Sequence, residues 1–162
     1  MSRRYDVSDV AEVLRLPARV HQVVPPEYED LNGHMNIRHY FALQTKAIGL
    51  LTAGLDDKRE QPRIGGFSLE HHLIYHAEVL VGREVSVHAR LDRRTDKVAH
   101  GRSFLVDRTM GRVANTCHFV LGNVDLTTRR MVPFLPAAAR FLDQEIRREP
   151  ALPLHGLPDG RA

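Results

Sequence analysis

The chain has 162 residues, 43% hydrophobic and 27% charged, enough for one apolar core, too short for two ordinary domains and too balanced for wholesale disorder. Its net charge is +3, with arginines spread along the chain rather than packed into a tract. That pattern gives no nucleic-acid footprint, although a basic rim could receive a phosphate-bearing small molecule. No apolar run reaches bilayer length, and the opening MSRRYDVSDVAEVLRLP has neither an apolar h-region nor a small-residue cleavage site. The expectation is a cytoplasmic protein without membrane insertion. Cys117 is the single cysteine, so no internal disulfide forms, and its setting in VANTCHFVLG reads as a buried strand.

Residues 8–16 carry Val10, Val13 and Leu14 at helical spacing before Pro17, a short leading helix in an N-terminal extension over 1–17. ARVHQVV alternates as a first strand and stops at Pro25-Pro26. From Ile37 the period changes: Ile37, Tyr40, Phe41, Ala47, Ile48 and Leu51 outline one apolar helical face that ends near Gly54. After a linker, DDKREQPRIGG, four segments rich in β-branched and aromatic residues follow: FSLEHHLIYHAEV, REVSVHARLD, KVAHGRSFLVD and RVANTCHFVLGNVD. Their short breaks suit an antiparallel meander. RRMVPF adds an edge strand, and PAAARFLDQEIRRE reads as a closing helix with proline in its first turn. The main domain is expected over 18–146, with a loose Pro- and Gly-rich tail over 147–162. The order describes an α+β fold: one long helix wrapped by a curved antiparallel sheet of about five or six strands, whose open edges favour a second subunit.

The segment PPEYEDLNGHMNIRHYF sets Asp30, Asn32, Gly33, His34 and Asn36 immediately before the long helix. Asn32 and Gly33 alone would make a surface turn. A carboxylate, an imidazole and a second amide are more than a turn requires. DLNGHMN followed by IRHYFALQ resembles the D-x-N/M-G-H-x-N-N-x-x-Y signature of hotdog-fold acyl-CoA thioesterases of the 4-hydroxybenzoyl-CoA thioesterase type, with Asp30, Gly33, His34, Asn36 and Tyr40 on the signature positions. Ile37 departs from it, standing where the family often has a second asparagine. The likeness extends over residues 18 to 136 through GREVSVHARL and the hairpin GRVANTCHFVLGNVDLTTRRMVP. LEHHLIYH is also similar, at Glu70, His72 and Tyr75, to the E-x-H strand of hotdog thioesterases of carnitine degradation, which act on betainyl-CoA.

The resemblance implies a homodimer or a tetramer of dimers that hydrolyses a small or medium acyl-CoA, with coenzyme A as part of the substrate and no further cofactor. Thioester hydrolysis needs an attacking water or carboxylate and donors where charge builds on the carbonyl oxygen. Asp30 supplies the first, as general base or as nucleophile, and the unpaired N–H groups of the helix start supply the second. His34 and Asn36 join Asp30 as candidate catalytic residues, and Asn36 can equally serve only as the helix cap. Asn32, Gly33, Tyr40, Glu70 and His72 are candidate substrate contacts, Glu70 and His72 sharing one strand face and reaching the acyl pocket from the other subunit. Arg93, Arg94, Lys97 and Arg102 flank a hairpin and could hold coenzyme A phosphates. For a quaternary ammonium acyl group, Tyr40, Phe41, Phe67 and Tyr75 are the available aromatic faces. Ten histidines invite a metal reading, but neither a Cys pair nor HExxH supports one. Two other functions share the fold: a hydratase, whose aspartate and histidine should be separated by four intervening residues where Asp30 and His34 are separated by three, and an acyl-CoA-binding module without turnover.

Overall fold

A computed structural model describes residues 9–55 and 63–148. The expected tail from 149 onward, the first residues of the N-terminal extension and most of the charged linker lie outside the described residues. Within them the elements run α1 (Val10–Val13), β1 (Ala18–Val23), α2 (Ile37–Thr52), β2 (Ile64–Tyr75), β3 (Glu84–Arg94), β4 (Val98–Asp107), β5 (Arg112–Asp125), β6 (Arg130–Met131) and α3 (Pro136–Arg148). The strands form one antiparallel sheet in the order β1-β3-β4-β5-β2, with β6 paired to the end of β5. Although it follows the helix directly in sequence, β2 is placed at the far edge.

Helix α2 begins where Asn36, in extended conformation, accepts a hydrogen bond on its side-chain oxygen from the Arg38 N–H at 3.1 Å, which satisfies one of the donors a helix start leaves open. The buried stripe is Tyr40, Leu43, Gln44, Ala47, Ile48 and Leu51. Ile37 and Phe41, expected on that face, are 63% and 43% exposed. They sit to one side of the stripe, toward β2. Gln44 is buried because its Nε2 donates to Asn115 Oδ1 at 2.7 Å, while Asn115 Nδ2 donates to the Ile74 carbonyl at 3.0 Å. This amide pair joins the helix to β5 and β2 and satisfies those three groups, while Gln44 Oε1 is buried with no hydrogen-bond partner among the described residues.

Alternation divides the sheet into two faces. Val85, Val87, Ala89 and Leu91 of β3, with Ala99, Leu105, Cys117 and Phe119, meet α2 in the main core. Leu142 of α3 joins them there. On the opposite face Phe104, Val106 and Val113 pack under Val13 and Leu16 of the N-terminal segment. His88 fastens that segment: its Nδ1 lies 2.8 Å from the Leu16 carbonyl and its Nε2 2.9 Å from Ser86 Oγ. Strand β2 starts three residues before the expected point, taking in Ile64-Gly65-Gly66, and stops at Tyr75. Leu126 packs over Gly65, where a Cβ would come within 2.9 Å of it. Cys117 is buried between β4 and α2, and burial pushes its thiol up to about 12.

Two stability measurements follow from this packing. A Cβ at Gly101 would collide with the Phe119 ring and with the Arg90 carbonyl on the neighbouring strand. Gly101→Ala is therefore expected to cost about 1–3 kcal/mol, read as a Tm lower by several degrees. His118 is buried on β5 beside Arg102, and burial first, then that guanidinium, lowers its pKa to about 4. Between the unfolded value of 6.5 and about 4 the unfolded chain binds a proton that folded His118 refuses. Stability contributed by the neutral ring is then lost as pH falls through that window. A Tm-against-pH series should show this slope, and His118→Phe should flatten it.

Candidate active site

The Asp30 loop is a closed local structure. The Asp30 N–H donates to the His34 carbonyl at 2.9 Å, and the Gly33 N–H donates to the Asp30 carbonyl at 3.0 Å. Asp30 Oδ1 accepts from the Asn32 N–H at 2.9 Å. Gly33 has φ 78°, a left-handed conformation that suits glycine and gives the tight reversal. The turn brings His34 Nδ1 to 3.5 Å from Asp30 Oδ1 and 3.3 Å from the Met35 carbonyl. No described residue bonds Asp30 Oδ2, and its side chain is 16% exposed. That oxygen is left for water or substrate.

The next residues anchor the loop to the domain. Met35 is fully buried, and its N–H donates to the Val79 carbonyl at 2.8 Å. The Asn36 N–H donates to the Tyr28 carbonyl at 2.8 Å, and the Tyr28 ring stacks on His39 with centroids 3.7 Å apart. With Asn36 capping Arg38, and the His39 N–H donating to the Asn36 carbonyl, no described residue accepts from the Ile37 N–H. One open donor at the positive end of the helix thus adjoins the Asp30 loop. Asp30, His34 and Asn36 are brought together as the sequence reading expects, with Asn32 and Gly33 exposed on the same loop. Tyr40 is instead a strut: it is buried, its hydroxyl accepts from the Val79 N–H at 3.0 Å, and burial pushes its pKa up to about 12.

Strand β2 divides its side chains between two faces. Tyr75 meets Tyr40 edge-on, and His71 meets Phe41 edge-on at 5.3 Å, so these two positions face α2. Glu70 and His72 alternate with them, pair with Val120 and His118, and lie on the face away from the helix. The parity follows from a bulge between Ser68 and Glu70. His71, which the sequence reading did not count among the substrate contacts, is the β2 histidine that faces α2. Tyr75, four positions on along the strand and therefore on the same face, is the signal that could have found it.

His71 borders a cavity of about 240 Å³ between the second half of α2 and the first half of β2, lined also by Thr45, Ile48, Thr52, Ser68 and Phe134. Burial holds its imidazole below the ordinary value. The four cations proposed for phosphate are not equivalent. Arg94 is held by Asp143 of α3 through two bonds of 2.7 and 2.8 Å, and buried Arg102 by Asp92 through two of 2.8 Å. Both are engaged in structural pairs, so exposed Arg93 and Lys97 are the ones a phosphate can reach. Among the described residues no group of three or more His, Cys, Asp or Glu side chains gathers to hold a metal.

Comparison with known proteins agrees with this architecture. Residues 24–142 match the thioesterase-like superfamily. A curated relative, the L-carnitine dehydrogenase/betainyl-CoA thioesterase of Agrobacterium fabrum, is 30% identical over 143 residues, 86% of this chain. The match spans only 29% of that longer protein. A Staphylococcus aureus protein solved in complex with CoA superposes with a TM-score of 0.77 at 22% identity, covering 91% of this chain and 94% of its own. A Thermus thermophilus thioesterase solved with coenzyme A and zinc gives 0.68 at 19% identity, covering 84% and 98%. An α+β half-barrel curled around one helix, entered by an Asp-x-Asn-Gly-His loop, places this chain in the thioesterase-like superfamily, with the hotdog fold of its thioesterase neighbours.

Proposed function

We propose that the chain is an acyl-CoA thioester hydrolase acting on a small or medium acyl group. The observation that supports this is the Asp30 carboxylate, fixed through Oδ1 by its own loop while Oδ2 has no bond to a described residue, beside the open Ile37 N–H. The thioester carbonyl oxygen sits at the helix start, where developing negative charge is stabilised. Asp30 either takes a proton from the attacking water or attacks the carbonyl carbon itself. In both routes the carbon–sulfur bond breaks, coenzyme A leaves as the thiol and the acyl group leaves as the free acid. His34 orients the carboxylate, Asn36 holds the helix start open, and Arg93 and Lys97 receive coenzyme A phosphates.

The functional unit in this proposal is a homodimer. The outer edge of β2 is unpaired among the described residues, and Leu69 and Tyr75 of β2 are exposed on the side of α2 that carries exposed Ile37 and Phe41. A long apolar edge of this kind is one that proteins cover. The other edge strand, β1, is half as long and ends in an exposed His21–Glu84 pair. Ring contacts set the start of α2 beside the end of β2, so the two elements run in opposite directions. A two-fold through the middle of β2 would then bring the partner's Asp30 loop to the cavity beside His71. Glu70 and His72 lie on the other face in both subunits and take no part.

Thiol release from a panel of aliphatic, aromatic and betainyl acyl-CoAs tests the activity. Asp30→Asn should reduce kcat by about 10²–10⁴-fold with an unchanged circular dichroism spectrum. Undiminished hydrolysis by that variant refutes the assignment, and tight binding without release from any member moves the chain to the binding or hydratase class. For assembly, a proline at Ser68 or a lysine at Leu69 should shift the mass in solution from dimer, or tetramer of dimers, toward monomer. Activity should fall in parallel, because each site draws on both subunits.

A further inference from the structure

His71 is a half-buried group that the proposed reaction leaves unexplained. Its Nε2 is shielded from solvent and has no hydrogen-bond partner among the described residues, a state that is costly for a polar atom unless something is supplied to it. Its ring is fixed edge-on against Phe41 and borders the cavity between α2 and β2. Several of the other polar groups in that wall are already committed. Thr45 Oγ1 donates to the Phe41 and Ala42 carbonyls at 3.0 and 3.1 Å, and Thr52 Oγ1 donates to the Ile48 carbonyl at 3.0 Å. Asn123 Nδ2 donates to the Val132 and Pro133 carbonyls, each at 3.0 Å.

We propose that this cavity receives the acyl group and that His71 Nε2 binds a neutral oxygen on it, making hydroxyacyl and oxoacyl thioesters the preferred substrate class. The inference rests on the hydrolase reading and deepens it. About 240 Å³ lies just under the roughly 300 Å³ at which sites for drug-sized ligands begin, so a short acyl group fits and coenzyme A does not. Among the described residues no charged side chain lines the cavity. An acyl carboxylate would be buried there without a cation. Among the described residues a quaternary ammonium would meet neither a carboxylate nor an aromatic cage, Phe134 being the one Phe, Tyr or Trp ring they bring to the wall. Burial keeps His71 neutral at physiological pH, so it offers one hydrogen bond and no charge. A plain alkyl chain would leave Nε2 unpaired, whereas a hydroxyl or carbonyl oxygen completes it.

The test compares kcat/KM for butyryl-, 3-hydroxybutyryl-, 4-hydroxybutyryl-, acetoacetyl- and betainyl-CoA in the full-length protein and in His71→Leu and His71→Gln. The expected result is a preference of about tenfold or more for at least one oxygenated acyl group over butyryl in the wild type. His71→Leu should bring that ratio close to one, and His71→Gln, which keeps a hydrogen-bonding group, should retain part of it. Equal rates on butyryl and oxygenated substrates in the wild type, a preference that survives in His71→Leu, or a preference for betainyl-CoA overturns the inference while the hydrolase reading stands. Should His71→Leu fail to fold, the wild-type ratios and His71→Gln decide the matter. Hydrolysis of no member overturns the hydrolase reading and this inference with it.

Discussion

Both backbone groups of Val79 are claimed by the loop-helix unit. Its carbonyl accepts from the Met35 N–H and its N–H donates to the Tyr40 hydroxyl. Val79 lies on the connection between β2 and β3 and is itself fully buried. Two hydrogen bonds on one residue thus tie the end of the Asp30 loop, the first turn of α2 and the exit of β2 into one unit. Because the whole assembly is desolvated, releasing either bond would strand a buried polar group. The loop can be polar and tightly turned while remaining fixed, since its flanks are held by the core rather than by its own contacts.

The second constraint is how α2 divides its surface. One stripe is buried in the sheet; Ile37 and Phe41 lie outside it, beside β2 and its open edge. Burying these side chains against a symmetric copy would complete the helix's covering without changing the monomer fold. The same step would close the cavity beside His71, which one chain leaves partly open between its helix and its edge strand. In this proposal assembly and site formation are the same packing event.

Local signals in the sequence led to the loop, the cap and the helix. Asp30, Asn32, Gly33, His34 and Asn36 close on one another within a few residues, so their chemistry is visible as spacing. The strand segments were also legible, because alternation and short breaks are local properties. What depended on contacts distant in sequence was not. The bulge between Ser68 and Glu70 sets which residues of β2 face the helix, and no pattern in LEHHLIYH announces it. Arg94 and Arg102 look like a basic rim until Asp143, far along the chain on α3, and Asp92 are seen to hold them. Tyr40 reads as a site aromatic until Val79 occupies its hydroxyl.

Cys117 is buried against the helix with its thiol pushed up to about 12. The proposed reaction releases coenzyme A as a thiol, and any of it that has been oxidised to a disulfide can exchange with an accessible protein thiolate. Exchange requires a thiolate and an approach path, and Cys117 offers neither. Cys117 is the single cysteine of the 162 residues, so under the proposed reading these residues present no accessible thiolate on which oxidised coenzyme A could form a mixed disulfide.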